Sequence, residues 1–364
     1  MRHALTVAAF LVLLAGTGAC AEYPGAVFLM IFPDARTTAL GGCGVALPDL
    51  NANAYYNPAC LATGPHAAAT WTHVNWLAGL FSDRSYDHAE VACRHGTRLG
   101  LGASFTYMQT GLTDVVNERG EFIGRYRNYD LAAGLSTAYR VVSNLSGGVT
   151  LKAIYSYEHP YWIGPYPWPM RSGDAFTLAV DAGAQYQPFG PLTVGAAIEN
   201  LGSRLRYDST KGDPLPALLR VGFALKPRVP GPVEVALVGD VWRDLVTPIE
   251  YWMDGDSALM FWENMRDGLG LELRIAKMAT VRLGYFEDIQ GYSGGITVKG
   301  QHGITRRVSL LRFVTQSGLG KAVGMGLCWG VGLEYRGLRL DVGVDEEIYY
   351  IAPRNVRFQL SARL

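Results

Sequence analysis

An alternation of apolar with small or polar residues runs through most of this chain, in stretches about as long as a membrane-spanning β-strand, roughly 9 to 11 residues. In one such stretch Leu269, Leu271 and Leu273 alternate with Gly270 and Glu272. A period of two places successive side chains on opposite faces of a sheet. If the leucine face meets lipid, the sheet must close, because hydrocarbon offers no hydrogen-bond partners to an open edge. The pattern therefore predicts an all-β protein, a transmembrane antiparallel β-barrel.

The number of candidate strands is about fourteen, and bacterial barrels have an even number. They are predicted near residues 67–78, 88–95, 99–108, 129–140, 146–157, 175–187, 192–200, 217–226, 232–243, 268–276, 279–287, 324–335, 338–346 and 355–364. Short connections, such as 96–98 and 336–337, alternate with long ones, such as 109–128 and 288–323. Because barrels have short periplasmic turns and longer outer loops, both ends of the strand region are predicted to face the periplasm.

The first 21 residues have the features of a cleaved secretory signal: a basic start, an apolar run over 4–14 and small residues up to Ala21. The mature chain is then predicted to begin at Glu22. Lipoprotein processing at Cys20 is the alternative, but Thr17 stands where a bulky aliphatic residue is expected. Export without a later apolar run of roughly 20 residues leaves a soluble secreted protein or an outer-membrane barrel. The strand pattern favours the cell outer membrane.

Residues 22–66 lack the alternation and are rich in Gly, Ala, Pro and Asn, which predicts an irregular plug. Glycines predicted to face inward, as in the strand from Gly324 to Gly332, invite close backbone approach in the lumen. The chain thus divides into a signal peptide (1–21), an N-terminal hatch segment (22–66) and the barrel (67–364). A flexible periplasmic tail is the alternative for the second part.

Composition and motifs argue against several classes of function. The 32 acidic and 32 basic residues balance, which excludes the basic excess of a nucleic-acid binder. Cysteines and histidines lack metal-site spacing, so no metal and no cofactor are predicted. A Gly-x-Ser-x-Gly match at 291–295 lies between strand-like runs in a Gly-rich loop, so we predict no enzyme. Cys43 and Cys60 could pair in an oxidising periplasm, although isolated buried thiols are the preferred interpretation.

Two long connections are rich in aromatic residues and are candidate ligand or partner loops. The candidates are Trp162, Tyr166, Trp168, Trp252 and Trp262. Prolines interleave the first three, which stiffens the loop, and aromatic rings bury large area at small entropic cost. The alternative is that these rings belong to the aromatic girdle at the membrane interface.

Three motifs carry a resemblance to a known family. The run DARTTALGGCGVA at 34–46, followed by NPACLA at 57–62, resembles the N-terminal signature of the PorV/PorQ branch of the FadL-like barrels. The segment ENLG at 199–202, with the strand after it, is similar to the middle of that family. The likeness spans nearly all of the mature chain. The sequence departs from the family pattern where Cys60 replaces the usual Gly and where 288–323 has room for an extra hairpin.

The resemblance implies a fourteen-stranded barrel with a small hatch that would include Gly41, Gly42, Asn57, Pro58 and Ala59. PorV-type relatives imply a scaffold or shuttle in type IX-like secretion, with secreted proteins and secretion-system components as partners. FadL relatives imply a channel for long-chain fatty acids or other hydrophobic small molecules. Three hypotheses follow: the secretion role, which we favour from sequence, the hydrophobic channel, and a purely structural barrel. Outer-membrane lipid surrounds the barrel in each case.

Overall fold

A computed structural model describes residues 20–21, 23–47, 53–117, 119–158, 173–207, 212–247, 265–288, 294–300, 303–345 and 355–363. Within these ranges fourteen antiparallel strands form a closed barrel in chain order. They are β1 (Ala67–Asn75), β2 (Ser85–His95), β3 (Leu99–Gln109), β4 (Tyr129–Val142), β5 (Leu145–Tyr157), β6 (Asp174–Phe189), β7 (Leu192–Gly202), β8 (Leu218–Leu225), β9 (Val233–Asp244), β10 (Met265–Ile275), β11 (Ala279–Asp288), β12 (Leu327–Tyr335), β13 (Leu338–Asp345) and β14 (Asn355–Arg363). Strand β14 pairs with β1 and closes the ring. The predicted all-β barrel is confirmed.

The two faces of the barrel separate apolar from polar side chains. Leu271 of β10 pairs with Leu283 of β11, which pairs with Trp329 of β12. These three side chains are 37%, 52% and 44% exposed and form part of an apolar outer belt. Glu272 follows Leu271 and Arg282 precedes Leu283, and both are buried on the inner face, where they are paired across β10 and β11. The predicted assignment of faces is therefore confirmed for this wall, and an outer face of this kind suits hydrocarbon.

Connections alternate in length around the ring, as the sequence predicts. Those that follow β2, β4, β6, β8, β10 and β12 contain two to seven residues, whereas the others contain nine to 38. The barrel consequently has a short-connection end and a long-connection end. The N-terminal residues before β1 enter the strand region at the short-connection end.

The predicted strand over 324–335 is wrong at its start. Residues Lys321–Met325 pair with Ile296–Lys299 in a separate three-stranded sheet, and β12 begins only at Leu327. Gly326 is the reason: its N–H donates to Gly295 O (2.8 Å), so the chain turns away from the wall there. Gly324 and Gly326 therefore do not face the lumen. The extra hairpin expected in this connection is confirmed as Ile296–Lys299 with Thr305–Val308.

Smaller elements occupy other connections and the N-terminal part. Strands Thr113–Val116 and Phe122–Tyr126 form a hairpin between β3 and β4 that the sequence pattern did not indicate. There the Arg125 guanidinium, hydrogen-bonded to Asp114, lowers the pKa of that carboxyl. Residues Cys20–Ala21 pair in parallel with Val246–Thr247. The helices are α1 (Ala35–Ala39), α2 (Asn53–Tyr56), α3 (Leu310–Thr315) and the 3-10 turns Val27–Met30 and Pro58–Ala62. Among the described residues, no helix is long and apolar enough to cross a bilayer.

Candidate functional site

The lumen of the barrel contains the N-terminal segment, by which we mean residues 23–47 and 53–66. Helix α1 contacts β11 to β14, whereas the 3-10 turn Pro58–Ala62 contacts β2 to β6. These two groups of strands form different arcs of the ring, so the segment reaches across the interior. Every residue from Ile31 to Leu47 is buried. The predicted plug-like position agrees with these contacts, while its role as a hatch stays a prediction.

Glycines on the inner wall allow the segment to approach the strands at backbone distance. A Cβ added to Gly268 would lie 2.2 Å from Gly41 O, and one added to Gly284 would lie 2.3 Å from Gly41 N. Gly41 itself has a φ of +72°, a left-handed conformation that other residues adopt only with strain. A Cβ on Gly330 would likewise meet Ala39 at 2.6 Å. Inward glycines of β10, β11 and β12 thus form the seat for α1 and the turn after it.

A buried ionic chain anchors α1 to the wall. Arg36 donates from Nε and Nη2 to the two oxygens of Glu272 at 2.7 and 2.6 Å. Glu272 also accepts from Arg282 Nε at 2.7 Å, and Arg282 lies 2.8 Å from Asp341. Because buried charges are costly unless paired, this arrangement fixes Arg36 to β10 and, through Arg282, to β11 and β13.

Asp34 caps the start of α1, and its carboxylate accepts three hydrogen bonds. Its carboxylate accepts from Thr37 N at 2.8 Å, the usual N-cap bond, and from the hydroxyl of Tyr56 at 2.9 Å. The Thr37 hydroxyl also donates to the Asp34 carboxylate. The next N–H, that of Ala35, donates to Gln359 Oε1 of β14 at 2.9 Å. The cap therefore ties α1 both to the second part of the segment and to the closing strand.

The turn after α1 is held by an ion pair from β8 and β9. Asp240 Oδ2 accepts from Gly44 N at 2.7 Å and from Val45 N at 3.0 Å. Arg220 lies 3.7 Å from the same carboxylate and donates to Gly42 O at 3.0 Å. A buried carboxylate and guanidinium are thus satisfied by backbone groups of the segment, so removing the segment would leave both incompletely paired.

The predicted Asn-Pro-Ala step lies against β5 and β6, whereas Gly41 lies against β10 and β11. Asn57 caps the 3-10 turn, accepting from Ala59 N at 3.0 Å. Its amide nitrogen donates to Val45 O at 2.8 Å and to Ala184 O of β6 at 3.0 Å. The five predicted hatch residues therefore form no single cluster. Asn57 instead joins two parts of the segment to each other and to the wall.

A cavity of about 330 Å³ lies between the N-terminal segment and the long-connection end of the barrel. Its floor is the turn Val27–Met30 with the residues up to Phe32, and its walls include Trp76, Met108, Leu218, Trp242 and Phe286. The walls come from the long-connection ends of β1, β3, β8, β9 and β11. The lining is mainly apolar, and pockets for small ligands measure about 300 to 1,000 Å³.

Aromatic and hydrogen-bond contacts fix the cavity's shape. Phe32 packs edge-on against Trp242 at a centroid distance of 5.9 Å, and Trp242 lies 5.7 Å from Phe286. The Tyr55 hydroxyl donates to Leu29 O at 2.6 Å and is 3.2 Å from Ile31 O. The floor is therefore held by α2, and the aromatic side wall is packed before any ligand enters.

Four of the charged side chains that border this cavity form two ion pairs. Arg220 donates to Glu199 at 3.2 Å, and Arg266 lies 2.9 Å from Asp244. The guanidinium of Arg220 also stacks 4.6 Å from the Trp242 ring. Paired charges attract a charged ligand less than unpaired ones, so the cavity suits an apolar molecule better than an ionic one.

A second cavity of about 400 Å³ opens at the short-connection end of the barrel. Arg36, Glu272, Arg274 and Arg339 are among the residues that line it. The N-terminal segment borders both cavities, with Phe32 facing the first and Arg36 the second. The segment therefore stands between an apolar and a polar compartment of one lumen.

Trp162, Tyr166, Trp168, Trp252 and Trp262 lie outside the described residues, as do residues 1–19 of the expected signal.

The alternative Cys43–Cys60 disulfide is not formed. Cys43 is a buried thiol, and the Cys60 thiol donates to Val45 O at 3.9 Å. The preferred interpretation, separate buried thiols, agrees with this arrangement. Among the described residues no group of His, Cys, Asp or Glu is arranged to hold a metal ion.

The walls of the apolar cavity were not foreseen from the sequence. Trp76, Met108, Trp242 and Phe286 are far apart in the chain and share no motif. One signal in the sequence could have indicated these walls. Near the long-connection end of several strands, an apolar or aromatic residue stands at an inward position, whereas most other inward positions are small or polar.

Comparison with known proteins finds solved structures of similar fold. No protein-family model matches the chain, and no curated protein matches it by sequence. The crystal structure of the toluene transporter TbuX of Ralstonia pickettii is similar with a TM-score of 0.54 at 15% identity, covering 92% of this chain and 99% of TbuX. The toluene transporter TodX of Pseudomonas putida gives 0.54 at 13% identity, covering 95% and 98%. The CymD monoaromatic hydrocarbon channel gives 0.56 at 13% identity, covering 90% and 96%.

These likenesses establish a shared fold over nearly the whole length of each protein. The barrel implied by the FadL-like resemblance is confirmed. None of the three structures is a PorV or PorQ protein, so that narrower resemblance stays a prediction.

Proposed function

We propose that this protein is an outer-membrane channel for hydrophobic small molecules, with the N-terminal segment as its hatch. The observation that carries the proposal is the apolar cavity between the long-connection end and the segment. Its volume of about 330 Å³ fits a small ligand, and four of its rim charges form two ion pairs. Similar barrels that are toluene transporters support an aromatic or aliphatic hydrocarbon as the ligand class.

The proposed path enters at the long-connection end and passes the segment. A ligand in the cavity contacts the floor at Phe28 to Phe32, which Tyr55 and Arg357 hold in place; Arg357 Nε donates to Phe32 O at 2.9 Å. Movement of this floor would connect the apolar cavity with the polar one below. The outer belt of Leu271, Leu283 and Trp329 supports a location in a membrane.

Filling the cavity tests this proposal. Leu218 lines the cavity and is buried, so Leu218→Trp should lower toluene uptake by cells at least tenfold by occupying the ligand's space. Leu271→Trp adds the same bulk to the outer belt and should leave uptake unchanged. Heat-modifiable gel migration checks that both barrels are folded. Equal uptake by parent and Leu218→Trp would contradict the proposal.

A second experiment addresses the hatch. Replacing Pro58 or deleting residues 34–62 should change uptake of toluene while the barrel still assembles. A deletion that leaves uptake unchanged would remove the segment from the proposed path.

The secretion role implied by the PorV/PorQ resemblance takes second place. It requires a protein-binding surface on the long connections, and the loop aromatics proposed for it lie outside the described residues. Pull-down from native membranes is the test. Recovery of secreted proteins that share a C-terminal domain would restore this role to first place.

A further inference from the structure

The connection between β11 and β12 folds into a compact unit, here called the loop sheet (residues 294–300 and 303–326). Its core consists of Ile296, Val298, Val308 and Leu319, which bury against Tyr285 of β11. Tyr285 alternates with the inward Gly284 and Phe286 and so points outward, two residues beyond the exposed Leu283. Two residues of a strand span about 7 Å. The loop sheet therefore packs on the outside of the barrel wall, directly beyond the apolar outer belt.

The face of the loop sheet that points away from Tyr285 carries cations. Ile296 and Val298 face the core, so Thr297 and Lys299 lie on the other face. Lys299 is paired directly opposite Lys321, and Arg307 is opposite Thr297. Like charges directly opposite each other destabilise a strand pair. Both lysines are exposed, and an external anion would remove this repulsion.

The connection supplies no acidic residue to compensate these charges. Residues 289–326 contain five Lys or Arg and no Asp or Glu, although the whole chain has 32 of each sign. By contrast, the hairpin between β3 and β4 balances its cations, with Arg125 bound to Asp114. The loop-sheet connection therefore carries a net positive charge, whereas the connection with this hairpin does not.

Helix α3 adds an exposed apolar side to the same unit. Leu310 and Phe313 pack against the core, whereas Leu311 and Val314 are 72% and 73% exposed. The helix is fixed in this orientation, because Glu287 accepts from Leu310 N at 2.6 Å and Ser309 caps it. Exposed apolar side chains beside Lys and Arg are typical of segments at the surface of an anionic membrane.

We propose that the loop sheet docks onto the phosphate-bearing headgroups of lipids beside the barrel. Lys299, Arg307 and Lys321 bind the phosphates, and Leu311 and Val314 enter the interfacial layer. A lipid offers both anionic and apolar chemistry at the height where this unit lies, just beyond the outer belt. The inference rests on the membrane location in the proposed function, but it does not depend on hydrocarbon transport.

The experiment measures lipid retained by the full-length protein. Protein in a neutral detergent is mixed with phosphatidylglycerol or phosphatidylcholine, and bound lipid is counted by native mass spectrometry. The parent should retain phosphatidylglycerol preferentially, and added salt should weaken retention. The triple variant Lys299→Gln/Arg307→Gln/Lys321→Gln should bind about a hundredfold more weakly, from three surface cations.

The matched control removes three cations from the long connection between β3 and β4: Arg119→Gln/Arg125→Gln/Arg127→Gln. These residues are exposed, and this change should leave phosphatidylglycerol binding within about threefold of the parent. Equal losses in the two triples, or equal retention of the two lipids by the parent, would overturn the inference. If the first triple misfolds, Lys299→Gln alone should still give a several-fold loss. Toluene uptake by the first triple should match the parent, so failure here and failure of the channel proposal are separable.

Discussion

Replacing Arg36 by Met should release helix α1 of the N-terminal segment from the barrel wall. Arg36 makes two bonds of 2.7 and 2.6 Å to Glu272, and the side chains are only 6% and 8% exposed. Breaking a buried pair costs about 3 to 5 kcal/mol because one charge is left behind. Glu272 keeps Arg282 at 2.7 Å, so the cost should lie near the lower value, about 3 kcal/mol. This corresponds to an increase of about a hundredfold in the detached population.

A native thiol reports that population. Cys43 follows α1 and is fully buried, so a neutral maleimide reaches it only when the segment detaches. Labelling then scales with the free energy of local opening. Site-resolved mass spectrometry gives the rate at Cys43, and the exposed Cys93 of β2 provides an internal reference.

The matched control is Arg274→Met on the same strand. Arg274 pairs with Glu334 at 2.9 Å and with Glu234 at 3.5 Å, outside the N-terminal segment and partly in solvent. Such pairs contribute about 0 to 1 kcal/mol, so Cys43 labelling should stay within about fivefold of the parent. Equal rates at Cys43 in Arg36→Met and Arg274→Met would refute the anchoring role of the Arg36 pair.

Two further variants probe the packing of the segment. Gly41→Ala should lower the free energy of unfolding by about 2 to 4 kcal/mol in urea titration, since the new Cβ would lie 2.1 Å from Tyr285 O. Gly190→Ala, where nothing lies within 4 Å of the new Cβ, should leave the urea midpoint unchanged. Asn57→Ala removes hydrogen bonds of 2.8, 3.0 and 3.0 Å, which should weaken local packing by about 2 to 3 kcal/mol and accelerate maleimide labelling of Cys60. An unchanged labelling rate at Cys60 would mean that the hydrogen bonds of Asn57 do not hold the segment in place.

The barrel was largely predictable because successive residues of each strand face opposite sides of the wall. The outer side favours apolar residues and the inner side favours small or polar ones. Leu271 and Glu272 are adjacent in the chain, yet one lies in the outer belt and the other in the buried ionic chain. The lengths of the connections carry the same information, since every second connection is short. Both signals are local, so they can be recognised without knowledge of contacts between distant residues.

The site was less predictable because its contacts are distant in sequence. Arg36 and Glu272 are 236 residues apart, and no spacing rule joins them. The break at Gly326 was missed because its cause, a hydrogen bond to Gly295, depends on the loop sheet. Gly41 and Asn57 were found through their resemblance to a family, which does not show that they lie on different arcs of the ring.

The bonds between Ala35 and Gln359 and between Phe32 and Arg357 join groups 324 and 325 residues apart. Both partners in the wall belong to β14, the strand that completes the ring against β1. During biogenesis the N-terminal residues are synthesised first, but their partners exist only after β14 has been made. Such non-local contacts form late in folding. Pairing of β14 with β1 and docking of the N-terminal segment in the lumen should therefore occur together as the last folding step. If this step is slowed, the N-terminal segment should stay exposed to proteases until it is complete.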